Sequence, residues 1–238
     1  MSKYGRKKIL FDLDDTILDF HMAERHALRA AFDELGIDAD EELLRRYSEI
    51  NAFCWQQLEL GRMTREEVLV SRFEKLFREK GIDCDARTAQ ERYEGFLENG
   101  HFFVPGAEEL LEALYPKYDL YLVSNGNTVT QESRLKSAGI GPYFKKIFIS
   151  EQIGVNKPER AFFEACFSEI PDFHAEDAVI VGDSLTSDIR GGINAGIRTC
   201  WLNYNEKPGR DDIRPDWVID DIRALPALVE RLAAPAKP

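Results

Sequence analysis

Four cysteines and four histidines in 238 residues leave little material for soft-metal or disulfide chemistry. Cys54, Cys84, Cys166 and Cys200 lie far apart, form no CxxC pair and share no cluster with histidine, so neither a zinc site nor a disulfide framework is expected. The reading is a reduced, cytoplasmic protein. Positive charge is also scarce. The 31 Lys and Arg face 43 Asp and Glu, and the formal net charge is -12, which argues against nucleic-acid polymers and anionic membrane surfaces as partners. Small anions stay open wherever a local cation neutralises the field. No apolar run is long enough to span a membrane, and the basic start MSKYGRKK leads into an apolar stretch broken at once by Asp12, so no signal-peptide core is expected.

What is present is the composition of a folded chain: 44% apolar and 31% charged residues lie away from the balance that keeps chains disordered. The length fits one large domain or one domain with a sizeable insertion. AAPAKP at the C-terminus reads as a frayed tail.

The stretch KKILFDLDDTILDF sets apolar residues beside Asp12, Asp14 and Asp15, although an isolated buried carboxylate costs several kcal/mol unless compensated. Lys8 to Asp12 suits a buried parallel strand whose carboxyl end opens onto a site. Residues 17–100 change character. MAERHALRAAFDELG and REEVLVSRFEKLFREKG space apolar residues three and four apart, with Gly36 and Gly81 just beyond, which predicts amphipathic helices with glycine stops. Strand and helix then alternate: VPGAEELLEAL, YDLYLVSNGN, VTQESRLKSAGI, KIFIS, NKPERAFFEACF, DAVIVGD, SDIRGGINAG, IRTCWLN and PDWVID. The expected fold is α/β, a Rossmann-like doubly wound parallel sheet formed by residues 1–16 and 101–238, carrying an all-helical insertion over 17–100. Ligands of such sheets bind at the strand carboxyl ends.

Three further stretches end strands in reactive groups. Ser124-Asn125-Gly126 offers a hydroxyl and backbone amides to an anion. Lys157 precedes Pro158, which presents the ammonium at a helix entrance. Asp183 closes a strand, with Asp188 one turn onward. In a parallel sheet these stretches converge with Asp12 and Asp14 on one edge. Four carboxylates against Lys157 cannot all stay ionised unaided, and an all-oxygen donor set favours Mg²⁺ as the remedy. A phosphate group would be drawn to the same place, so the pattern serves phosphoryl transfer. The Thr16 hydroxyl is expected to orient the acidic loop. His21, His26, His101 and His174 read as surface or packing residues, Phe162, Phe163 and Phe167 as core, and the charged run REEVLVSRFEKLFREK as a solvated helix face. Trp201 and Trp217 sit in apolar contexts, and Trp55 lies in the insertion.

FDLDDT, LVSN, KP and GDSLTSD, in that order, resemble the four motifs of haloacid dehalogenase-like (HAD) hydrolases over nearly the whole chain. The insertion resembles the helical cap that follows the first motif in the branch of phosphoglycolate phosphatases, nucleotidases and dehalogenases. LDDTILDFHMAERHAL, SEQIGVNKPERAFFE and IRTCWLNYNEKP are similar to the pyrimidine 5′-nucleotidases of this superfamily. The resemblance implies that Asp12 attacks phosphorus and forms an aspartyl-phosphate, and that Asp14 protonates the leaving group and then activates water. It further implies that Ser124, Asn125 and Lys157 hold the phosphoryl group. Asp12, Asp183 and the backbone carbonyl of Asp14 would ligate Mg²⁺, and Asp188 would act through water or by orienting Lys157. The implied substrate is a small phosphomonoester, a pyrimidine nucleoside monophosphate such as UMP, dUMP or dTMP, with Phe20, His21, Glu24 and Trp55 as contacts to base or ribose. The implied hinges of the cap lie near Ile17 to Phe20 and Phe103 to Gly106. Asp14 argues against a dehalogenase. A phosphoglycolate or sugar-phosphate phosphatase, a phosphomutase and a phospho-receiver switch are the competing readings, the last disfavoured by the long insertion.

Overall fold

Ile9, Leu10 and Phe11 are fully buried in the first strand, β1 (Lys8–Phe11), and everything that positions the site is arranged around it. The structure is a computed structural model that describes residues 6–233. The expected C-terminal tail lies outside these residues apart from its first alanine. The chain is built from two compact units. Of the described residues, one holds 6–19, 103–128 and 139–233, and the other holds 20–102 and 129–138.

In the first unit, β1 is joined by β2 (Asp119–Ser124), β3 (Lys146–Ile149), β4 (Ala178–Gly182), β5 (Arg198–Leu202) and β6 (Trp217–Ile219). Among the described residues these form one six-stranded sheet in the order β3-β2-β1-β4-β5-β6, with every pairing parallel. Parallel strands are covered on both faces and therefore read as continuous apolar runs rather than alternating ones. β4 is AVIVG, buried at every position. The strand order reverses at β1, between β2 and β4, and the carboxyl ends of the strands at such a switch point are where ligands of open α/β sheets bind. Leu10, Tyr121, Phe162, Phe163 and Ile180 belong to one core cluster beside the sheet.

The second unit is helical. Its members are α1 (Phe20–Glu34), α2 (Glu41–Glu59), α3 (Arg65–Lys80) and α4 (Ala86–Leu97). The Asp40 side chain caps α2, Thr64 and Glu67 form a reciprocal box at the start of α3, and Asp85 caps α4, each supplying an acceptor to orphan N–H groups of the first turn. Gly81 ends α3 at a φ of 66°, a left-handed cap that a glycine adopts without penalty. Phe32, Tyr47, Phe73, Phe77 and Tyr93 fill the interior.

The charged run on α3 is not solvated throughout. Arg72 is 2% exposed, donates to Asn51 and Gln90 at 2.7 Å each, and lies over the Tyr93 ring. Charge periodicity alone could not separate this residue from its exposed neighbours.

The first unit continues with α5 (Ala107–Leu114), α6 (Thr128–Ala138), α7 (Ser150–Ile153), α8 (Arg160–Ser168), α9 (Arg190–Ala195) and α10 (Leu225–Ala233). α6 is the exception in unit membership, because residues 129–138 group with the helical unit. Arg134 supplies the reason: it is 1% exposed, donates to the Gly100 carbonyl at 3.0 Å and lies over the Phe20 ring.

Candidate active site

The chain leaves β1 through a loop organised by one carbonyl. Asp12 N–H donates to Val181 O at 2.9 Å, extending the β1–β4 pairing by a residue, and the Leu13 carbonyl then accepts from both Ile17 and Leu18 N–H at 2.9 Å. Asp15 has a φ of 55°, a left-handed conformation that aspartate tolerates, and donates its N–H to Leu18 O. Leu13, Ile17 and Leu18 are fully buried, so the loop is pinned from beneath while Asp12 and half-buried Asp14 flank Leu13. Thr16 does not act as expected. Its buried hydroxyl has no hydrogen-bond partner among the described residues, and the loop takes its shape from the Leu13 carbonyl instead.

Lys157 is 1% exposed, and its ammonium donates to Asp12 Oδ1 at 2.6 Å, Asp188 Oδ1 at 2.7 Å and Val123 O at 2.8 Å. Those three acceptors use all three of its N–H groups. Asn125 fixes the backbone behind it, since its carboxamide accepts from Lys157 N–H and donates to Lys157 O, both at 2.9 Å. The Lys157–Pro158 peptide is cis, and α8 begins at Arg160, so Pro158 precedes the helix instead of opening it. Ser124, 1% exposed at the end of β2, accepts from Gly126 N–H at 3.0 Å.

Asp183 follows β4, and a π-helical turn, Leu185–Ile189, carries Asp188 back toward it. Such turns recur at functional sites because they re-aim a side chain within a helix. Asp188 Oδ2 accepts from Ser184 N–H at 3.1 Å while Oδ1 faces Lys157. Gly182 makes this possible, because a Cβ there would lie 2.2 Å from Asp188 Oδ2. Two residues absent from the sequence expectation hold Asp183: Trp201 Nε1 donates to its backbone carbonyl at 2.8 Å, and Lys207 Nζ donates to its carboxylate at 2.8 Å. Neither announces itself in the sequence, since an indole in an apolar strand reads as core and a single loop lysine as surface.

Carboxylate oxygens of Asp12, Asp183 and Asp188 all come within 4.8 Å of one another. Burial pushes the Asp12 carboxyl well above its usual range; Lys157 opposes this, and the charges of Asp188, Asp14 and Asp183 add to it. Asp183 is raised by burial too, against the pull of Lys207. For Lys157, burial works against the ammonium, but the charges and hydrogen bonds of Asp12 and Asp188 outweigh it and hold its pKa above the ordinary lysine value. A closely packed all-oxygen donor set with too much negative charge fits a hard divalent cation.

Phe20, His21, Glu24 and Trp55 belong to the helical unit. Phe20 and Trp55 pack partly buried against its core, and His21 is exposed. Glu24 is 2% exposed and its carboxylate accepts from Ser48 and, at 2.7 Å, from Asn51. That interior network corrects Glu24 as a substrate contact.

Residues 7–196 match the family model described as haloacid dehalogenase-like hydrolase. The chain is 43% identical to the HAD-hydrolase YfnB of Bacillus subtilis, covering 94% of this chain and 95% of YfnB. It is 37% identical to the pyrimidine 5′-nucleotidase PynA of Streptococcus pneumoniae over 90% of each chain, and 28% identical to the pyrimidine 5′-nucleotidase YjjG of Escherichia coli over 93% and 96%. The crystal structure of magnesium-bound YfnB, described as revealing interdomain movement, superposes with a TM-score of 0.89 at 41% identity, covering 94% of this chain and 99% of that one. Four ordered motifs, the parallel sheet and these matches agree: the chain belongs to the haloacid dehalogenase-like hydrolases.

Proposed function

We propose that this hydrolase is a Mg²⁺-dependent phosphomonoesterase that works through an aspartyl-phosphate on Asp12, with pyrimidine nucleoside 5′-monophosphates as substrates. The observation that carries the reading is the Lys157 ammonium, bonded to Asp12 and Asp188 at the switch point of the sheet, with Asp183 beside them. Asp12 Oδ1 is held by Lys157, and the Asp12 side chain keeps 10% exposure. It is the oriented nucleophile in this reading. A carboxylate oxygen of Asp12 bonds to phosphorus as the bond to the leaving oxygen breaks, and the Asp14 carboxyl gives its proton to that oxygen. Asp14, now ionised, takes a proton from water, whose oxygen bonds to phosphorus and frees Asp12 and orthophosphate.

Ser124 Oγ, steadied by Gly126 N–H, and the Asn125 backbone N–H would hold phosphoryl oxygens. Asp12, Asp183 and the Asp14 carbonyl would hold Mg²⁺, which when bound supplies Lewis-acid polarisation of the phosphoryl group. Asp188 spends both oxygens on Lys157 and Ser184 N–H and serves as a positioning residue. The substrate class is supported by the named activity of PynA, at 37% identity over 90% of both chains. The four cysteines are free, three of them buried, in keeping with a reducing compartment, and among the described residues no helix is long and apolar enough to cross a membrane.

Phosphate release from pyrimidine and purine nucleotides, sugar phosphates and phosphoglycolate, with Mg²⁺ and with EDTA, tests the proposal. It predicts metal-dependent release concentrated on pyrimidine monophosphates. Release from sugar phosphates alone would discard the nucleotidase reading, and release unaffected by EDTA would discard the metal.

A further inference from the structure

The chain leaving β5 presents a second lysine to the acidic centre, and it does so by the device that presents the first. Asn203 follows β5 and is fixed there by its N–H, which donates to Ile219 O at 2.7 Å. Its carboxamide accepts from Lys207 N–H at 2.8 Å and donates to Lys207 O at 3.0 Å. Asn125 grips the Lys157 backbone in the same two-bond manner. Glu206, immediately before Lys207, sits at a φ of 51°, a left-handed residue at the bend of the loop.

The result is an ammonium 2.8 Å from Asp183 Oδ2, with the lysine side chain 46% exposed and the aspartate 15%. The exposed stem leaves Lys207 free to swing out into solvent, whereas Lys157, at 2% side-chain exposure, has no such route. One lysine is thus a fixed part of the centre, and the other is a cation on a tether.

We propose that Lys207 competes with the divalent cation for Asp183, holding that carboxylate until the ion displaces it and thereby setting the affinity of the site for metal. The inference rests on the reading of Asp183 as a metal ligand. An intramolecular competitor lowers the apparent affinity for the ion by the fraction of time it occupies the shared ligand. A partly exposed ion pair of this kind corresponds to a factor of about two to five.

The test is direct titration of Mn²⁺, whose free ion is read by its paramagnetic resonance signal, into the full chain and into Lys207→Met, Lys207→Gln and Lys207→Arg. Lys207→Met and Lys207→Gln should bind Mn²⁺ about two- to five-fold more tightly than the parent, and Lys207→Arg should stay near the parent value because it keeps the charge. Unchanged or weaker binding in both neutral variants, with the parent binding normally, would overturn the role of Lys207 alone. No Mn²⁺ binding by any of the four proteins would overturn the metal reading on which the inference stands.

Discussion

Gly182 has no side chain, and the Asp188 carboxylate occupies the space one would need. Replacing it by alanine places a methyl group within 2.2 to 2.3 Å of Asp188 Oδ2 and Cγ, so the carboxylate must move and release Lys157. Since Lys157 orients Asp12, a displacement of this size at a supporting residue should lower kcat by about 10²-fold. Steady-state phosphate release, with circular dichroism to verify the fold, checks the expectation; a Gly182→Ala variant with parental kcat would show that Asp188 does not need this position. At this scale much of the site is legible: Asp12 and Asp183 each follow an apolar strand, Asp188 lies one turn beyond Asp183, Lys157 precedes a proline, and the parallel sheet gathers them. Thr16 was misread because a hydroxyl in an acidic loop suggests a hydrogen bond, whereas the loop closes on the Leu13 carbonyl. Lys207 and Trp201 were missed because their roles depend on where β5 and its loop return, which no local pattern encodes.

The helices of the second unit show what periodicity captures and what it does not. Apolar spacing and glycine stops located α1 and α3, and the caps at Asp40, Thr64 and Asp85 agree with ordinary start signals. Polar residues in the interior escaped the pattern, because Glu24 and Arg72 are acceptable on any solvated face and become informative only when the helices close around them. Burial raises the Glu24 pKa above the ordinary carboxylate value, opposed by Ser48, His21, Arg72 and Asn51. The folded chain therefore retains a proton that the unfolded chain has released, and ionising Glu24 costs stability as pH rises from about 4.3 through the raised value. Glu24→Gln removes that cost. Its stability relative to the parent should climb as pH rises above about 4.3, measured as the urea midpoint; a pH-independent difference would place the Glu24 charge in a compensated setting.

For the whole molecule, the order β3-β2-β1-β4-β5-β6 puts the acidic centre where strand order reverses, and the alternation of apolar strands and helices made that architecture readable. The grouping of residues 129–138 with the helical unit is not readable in the sequence, because the helix follows β2 closely and its allegiance shows only in three-dimensional contacts such as those of Arg134 with Gly100 and Ser137 with His101. A cation bound to the folded chain alone must stabilise it, by about 2.7 kcal/mol when its concentration is a hundred times its dissociation constant. Thermal unfolding should therefore shift upward on adding Mg²⁺ and fall back with EDTA, with no comparable rise for Asp183→Asn. Equal shifts in parent and variant would locate the ion elsewhere.

In the proposed mechanism Asp12 is the residue that takes the phosphoryl group from the substrate. Acid quenching during turnover of a pyrimidine monophosphate, followed by proteolysis and mass spectrometry, asks directly where the phosphoryl group goes. The expected result is one phosphoryl group on the peptide containing Asp12, absent from Asp12→Asn, whose kcat should fall by about 10⁴-fold or more. A phosphoryl group on any other residue, or an Asp12→Asn enzyme that keeps turning over, would contradict it.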